Sequence, residues 1–334
     1  MKKIKNSRML RVLFARKSVV ICTIILLVMI FMAIFAPLLS PYDPIKTDLM
    51  HTLEGPSWAH WLGTDGTGRD LLTRLMYGGR ISFIVGFVSV FVAGIIGMLL
   101  GLLAGMAKGV VDNVIMRIMD AMMSIPMIVL ALFLGALFGK GLGNICLAIS
   151  ICMIPGYARV TRGQVLTVRN SDYVTAGYLC GGSTIRNTFR HIFPNCISVN
   201  IVMMSLSLGG AILCEASLSY LGMGINPPTP TWGSMVSEGY SKLATHPILA
   251  IMPGVCIMLV VLCFSIVGDA MRDALDPKLR GTMGEIRKKK TRWLRAAKKL
   301  VTEPYKAAAK GTEAAAGTVP GTAGSNDAGG SGTD

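Results

Sequence analysis

Charge is scarce in this 334-residue chain: Asp, Glu, Lys and Arg together make up 15%, where a soluble globular domain carries about 25%. Acidic residues are the scarcer kind, 18 against 33 basic ones, which leaves a net charge of +15. Hydrophobic residues reach 52% and the mean hydropathy is +0.57. That balance excludes a disordered chain, a collagen-like repeat and an ordinary cytosolic enzyme. There is no G-x-x-x-x-G-K-[ST]: Lys140 follows Gly139 but precedes Gly141, so no phosphate loop is present. H-E-x-x-H and G-x-S-x-G are also missing, and His51, His60, His191 and His246 are scattered. None of the eight cysteines forms a C-x-x-C. A disulfide framework and a zinc site are therefore not implied, and the cysteines read as small buried hydrophobes. Catalysis has no constellation to work with, so the chain is not expected to be an enzyme or to bind a cofactor itself.

What is present is long apolar sequence. About 20 helical residues cross the ~30 Å hydrocarbon layer. Seven windows of at least 18 residues lack Asp, Glu, Lys and Arg: 18–42, 81–107, 121–139, 141–158, 191–214, 216–237 and 243–268. The sixth holds Pro227, Pro228 and Pro230. A helix does not run through these, and lipid tolerates no unpaired backbone, so six spans remain. With the N-terminus in the cytoplasm, the inner segments carry 27 basic residues and the outer ones 6. The positive-inside rule thus supports six spans with both ends inside. The basic excess orients a membrane protein and does not point to nucleic acid. The first apolar run exceeds a signal-peptide core and lacks an A-x-A site, so a retained helix is expected.

The resulting organisation is all-α and multi-pass. Residues 1–18 form a basic cytoplasmic N-terminus, 19–38 the first transmembrane helix and 39–80 an extracytoplasmic segment. Residues 81–272 hold helices at about 81–107, 115–138, 142–160, 196–220 and 247–269, with a cytoplasmic loop at 159–195. A tail follows from 273 to 334. Its 286–299 stretch is dense in Lys and Arg and suits anionic lipid headgroups. Its Ala-, Gly- and Thr-rich end, 307–334, is expected to be disordered.

The loop from Arg169 to Asn195 carries the most information. Ser171 or Asp172 can cap a short helix. Gly181-Gly182 can supply the left-handed turn that ends it. Ser183 can cap a second short helix, whose run Pro194 limits. Two short helices around a glycine turn make a compact knob, and small Ala176 and Gly177 let a partner groove approach closely. A plain structural loop is the alternative reading, and tethering to two membrane helices argues against a DNA-binding helix-turn-helix.

This stretch resembles the EAA loop of ABC-importer membrane subunits. Thr175-Ala176-Gly177 stands at the EAA core, Gly181 at the family's glycine, and His191-Ile192-Phe193-Pro194-Asn195 resembles its closing H-I-L-P-N. Thr175 replaces the usual Glu, so any salt bridge made by that Glu is in doubt here. Gly63-Thr64-Asp65-Gly66-Thr67-Gly68-Arg69-Asp70, with Tyr77-Gly78-Gly79-Arg80-Ile81-Ser82, resembles the G-T-D-x-x-G-R-D…Y-G-x-R-x-S run of dipeptide, oligopeptide and nickel permeases. Glu215-Ala216-Ser217-Leu218-Ser219-Tyr220-Leu221-Gly222, followed by Pro227 to Gly233, resembles their E-x-x-L-S-F-L-G…P-P-x-P-x-W-G run. The single long N-terminal span points to the C-type member of the permease pair.

The resemblance implies a type I ABC-importer permease in a bacterial cell membrane, importing short peptides. It implies a homologous second permease, two ABC ATPase subunits that use ATP and Mg, and an extracellular substrate-binding protein. Nickel-chelate or glutathione import is the alternative within the family. A stand-alone channel or secondary carrier is the alternative outside it, although proton-driven carriers usually place ionisable relays inside the membrane. By the same resemblance, Asp172, Tyr173, Thr175, Ala176, Gly177, Gly181, Ser183, His191 and Pro194 couple the chain to the ATPase. Met203, Met204, Ser207 and Glu215 on the fifth span can face the path. Core packing is the plainer reading for the methionines, and capping a backbone turn is an equal alternative for Glu215. Gly97, Gly101 and Gly105 make a small-residue stripe, with packing inside this chain favoured over a subunit interface.

Overall fold

The computed structural model describes residues 16–107 and 109–275. The basic N-terminal segment before residue 16 and the tail beyond residue 275 lie outside the described residues. Within them the chain is helical. The long apolar runs form α1 (Lys17–Ile34), α2 (Leu71–Ala107), α5 (Leu142–Arg169), α8 (Phe193–Tyr220) and α10 (Ile248–Leu275). Each is long and apolar enough to cross a bilayer. Two shorter helices, α3 (Val110–Met123) and α4 (Met127–Phe138), meet at 94° and pass the same test as a pair. Counting that pair as one broken span keeps Lys17, the basic segment at 159–195 and Arg272 on one side.

The expected single helix at 115–138 is therefore corrected to two. Pro126 has no N–H to give, and a residue before proline is pushed out of the helical region. The chain turns at Ser124-Ile125-Pro126, where Pro126 is extended at ψ 131°. The helix expected from residue 81 begins at Leu71. Arg74 and Arg80 end the charge-free window but do not end the helix, and Arg74 is neutralised by ion pairs. The predicted break at Pro194 is also absent. Thr188–Ile192 forms a π turn that runs straight into α8, and Pro194 sits in the first turn of α8.

The core has three parts. The largest lies between α2, α5 and α8, around Val85, Val90, Ile149, Tyr157 and Ala211. A second joins α1, α2 and α10 through Cys22, Leu26, Phe83, Val260 and Phe264. The third sits at the cytoplasmic end. In the glycine stripe, Gly97 and Gly101 pack on the first and Gly105 on Val165 of the third. A Cβ on Gly97 would lie 2.5 Å from Tyr157 Cβ, one on Gly105 2.6 Å from Val165, and one on Gly101 would strike the Ala158 carbonyl oxygen. The stripe is filled by α5 of the same chain, and α2 and α5 approach backbone to backbone. Gly101→Ala should cost about 1–3 kcal/mol through overpacking. Gly163→Ala, on the exposed face of α5 with nothing within 4 Å of the added Cβ, should cost nothing. Thermal unfolding of the two variants in detergent checks the order, and equal midpoints would refute it.

Candidate functional site: a cytoplasmic knob and an outer-face network

On the cytoplasmic side, α6 (Asp172–Leu179) and the single-turn α7 (Thr184–Asn187) form the knob. Its turn is a Schellman closure. The Gly182 N–H donates to the Gly177 carbonyl at 3.0 Å, and the Gly181 N–H to that of Tyr178 at 3.0 Å. Gly181 stands at φ +81°, where L-residues with a side chain are strained. Asn187, which is buried, wedges between the two short helices. Its amide donates to the Gly182 carbonyl at 3.3 Å, and a Cβ on Gly177 would lie 2.9 Å from its Oδ1.

The other predicted knob residues fall into place around this turn. Ser171 precedes α6, but its hydroxyl donates back to Val168 O and makes no side-chain cap. Asp172 lies exposed in the first turn. Thr175 Oγ1 turns inward to Ser171 O at 3.3 Å, and Ala176 is exposed. Ser183 caps α7 by accepting from the Arg186 N–H at 3.3 Å. The Tyr173 ring meets His191 edge-on at 6.1 Å, and its hydroxyl accepts from Asn195 at 3.3 Å. Pro194 is exposed at the foot of α8.

Val174, absent from the sequence-based site, fixes the knob to the membrane helices. It is fully buried among Leu102 of α2, Val165 and Val168 of α5, and Ile192 and Cys196 at the start of α8. Its signal in the sequence was one apolar residue four before Tyr178, too little to single it out. Outward, the knob shows Tyr173, Tyr178, Leu179, Ile185 and Phe189, with Leu179 84% exposed. A small rigid body, rooted in three helices and apolar at its tip, can receive a push and pass it on.

The span-five residues divide. Met203 and Met204 pack against the core between α2 and α5, with Met204 occupying the space that Gly94 leaves. Ser207 sits beside the Tyr157 hydroxyl. Glu215 is completely buried and faces no open path. It accepts from Ser82 Oγ at 2.9 Å and Ser219 Oγ at 2.7 Å. It is a tie between α2 and α8. A buried carboxylate needs such donors, since an unsatisfied one is costly.

On the outer side, the three motifs found apart in the sequence meet. Thr231 and Ser234 form a capping box that starts α9 (Trp232–Tyr240). Trp232 Nε1 donates to Leu75 O at 3.0 Å, and its ring lies 2.7 Å from where a Cβ on Gly79 would be. Asp65 is the hub of the G-T-D-G-T-G-R-D run. It accepts from Thr67 N at 2.7 Å, Arg69 Nε at 2.7 Å and Arg74 Nη1. Arg74 Nη1 also donates to Glu238 of α9 at 2.7 Å. Asp70 caps α2 through the Thr73 N–H at 2.8 Å and bonds His60 Nδ1 at 3.0 Å.

Burial works to raise the Asp65 carboxyl, but the bonds from Thr67, the Arg74 charge and the Arg69 N–H outweigh it and hold the group below the usual carboxylate range. The stability this gives is complete above the ordinary Asp value of about 3.9. It is lost as pH falls through the lowered native value. Unfolding midpoints should therefore drop on acidification below about pH 4, and Asp65→Asn should flatten that drop. An unchanged acid profile in the variant would refute the assignment.

Residues 97–281 match the family described as binding-protein-dependent transport system inner membrane component. Residues 7–56 match the N-terminal TM domain of oligopeptide transport permease C. The chain is 46% identical to the dipeptide transport system permease protein DppC of Escherichia coli K12, over 79% of this chain and 90% of that one. It is 43% identical to the di/tripeptide transport system permease protein DppC of Pseudomonas aeruginosa UCBPP-PA14, over 76% and 86%. Identity is 42% to the glutathione transport system permease protein GsiD of Pectobacterium atrosepticum, over 80% and 89%. Among solved structures, an inward-facing MetNI methionine ABC transporter matches with a TM-score of 0.50 and 17% identity, covering 60% of this chain and 96% of that one. That likeness shows a shared helical permease fold, and the sequence matches go further: the chain belongs to the binding-protein-dependent transport system inner membrane component family, as a multi-pass permease subunit of an ABC importer.

Proposed function

We propose that this chain is one of the two permease halves of an ATP-driven importer of dipeptides and similarly short peptides. A homologous permease completes the pathway, two ATPase subunits clamp the knobs from below, and an extracellular binding protein delivers the peptide. This chain binds no cofactor; ATP and Mg act on the ATPases. The observation that carries the reading is the knob: apolar at its tip, closed by Gly181, and rooted through Val174 in α2, α5 and α8. Closing ATPases displace it and bias the helices between inward- and outward-open states, and nucleotide shifts that balance only through its differential affinity for the two states. The peptide assignment rests on relatives named for dipeptides and di/tripeptides.

Reconstitution into proteoliposomes with the cognate permease, ATPases and binding protein tests it. Labelled dialanine should accumulate only with ATP and all components. Glutathione accumulating in its place would move the substrate to the reading favoured by the Pectobacterium relative, and flux through this chain alone would make it a channel or carrier.

A further inference from the structure

The outer-face network encloses a cavity of about 340 Å³, inside the roughly 300–1,000 Å³ range of small-ligand sites. Its wall is charged and unbalanced. Arg69, Arg74 and Lys242 supply three positive groups, and Asp65 and Glu238 two negative ones. The two carboxylates are both engaged by the arginines. Lys242 makes no ion pair among the described residues, although it lies against the cavity, with its Nζ 2.8 Å from where a Cβ on Gly66 would be. Arg74 is 2% exposed, and its Nε–H has no partner among the described residues. A buried donor left unpaired is costly. The floor is apolar, made by Leu71, Met235 and Leu249.

From this we infer that the cavity is a binding subsite for the terminal carboxylate of a short peptide. One carboxylate would bring the charge to balance. It would offer acceptors to Lys242 and to the spare guanidinium donor, and the adjoining small side chain would rest on the Leu71–Met235–Leu249 floor. Charge-assisted bonds of this kind are the strong ones. The site lies between the first turns of α2 and α10 and the α9 segment, beside the turn that starts α2, where a delivered peptide would first meet this subunit. The inference rests on the peptide-import reading and deepens it.

The test uses the full-length protein in nanodiscs, with dialanine, dialanine amide and sodium acetate as probes at matched ionic strength. Thermal unfolding midpoints should rise with dialanine and, less, with acetate, but not with the amide, which has no carboxylate. Lys242→Met should weaken the dialanine effect at least tenfold in concentration. Gly66→Ala, which keeps the charge but pushes the flexible Lys242 ammonium aside, should weaken it several-fold while leaving the ligand-free midpoint unchanged. No dialanine shift, an equal shift with the amide, or an undiminished shift in both variants would overturn the subsite. Peptide uptake by the complete wild-type transporter is read separately. Its absence would sink the import reading, whereas intact uptake with no carboxylate-dependent shift would sink this inference alone.

Discussion

Gly181→Pro is expected to abolish peptide uptake and to leave the protein in the membrane. Proline holds φ near −65°, and Gly181 needs +81°. Proline also lacks the N–H that Gly181 donates to Tyr178. The closing turn opens, α7 swings away from α6, and Asn187 loses its wedge between Gly177 and Gly182. The two cores around Val85 and Phe83 should be untouched, because Gly181 lies exposed at the far end of α6, away from the buried Val174 anchor. Gly181→Ala asks only for a left-handed alanine, a cost of about 1–2 kcal/mol, and should retain part of the uptake. Ala176→Asp acts differently: it keeps the turn but sets a charge on the face a partner would cover, and uptake should again fall to background. Labelled-peptide uptake measured beside membrane abundance decides the matter. Full uptake in Gly181→Pro would remove the knob from the mechanism.

Arg74→Ala should remove the protein itself. Arg74 is the largest fully buried side chain in the chain's described part and joins Asp65, 9 residues before it, to Glu238, 164 residues after it. Without it, Asp65 keeps only Arg69 as a cation, and breaking a buried pair from one side costs about 3–5 kcal/mol. That is a large share of an ordinary stability of about 5–15 kcal/mol. Membrane abundance should collapse, and whatever is recovered should unfold well below the parent. Glu238→Gln is the contrast. Its side chain is 45% exposed, and exposed pairs contribute about 0–1 kcal/mol, so abundance should stay near the parent level. Normal amounts of a normally stable Arg74→Ala protein would show that the network is decoration.

The long apolar helices, the knob and its glycine turn were all legible in the sequence, because each is a local pattern: apolar length, caps and a glycine pair. The break at Ser124-Ile125-Pro126 was written there too, but it was masked by apolar residues on both sides that read as one run. What local pattern does not carry is long-range pairing. Nothing near Glu238 announces Arg74, and nothing near Trp232 announces Gly79 or the Leu75 carbonyl. Glu215 was visible as a lone carboxylate in an apolar helix, yet its donor Ser82 lies 133 residues away, so path and tie looked alike. Val174 was hidden for the opposite reason: a single valine in a short helix looks ordinary until three other helices are seen to close over it.

The seamless passage from the π turn into α8 makes a mechanical rod of that helix. Its foot is at the knob, and 22 residues on from Phe193, about 33 Å at 1.5 Å per residue, Glu215 grips Ser82 near the far surface. The helical backbone runs without a break from Thr184 to Tyr220, so the two ends share one element. Thermodynamic reciprocity would run the same rod backwards: if a load at the inner tip changes binding on the outer face, then a ligand on the outer face changes how firmly the inner tip is held by the same factor.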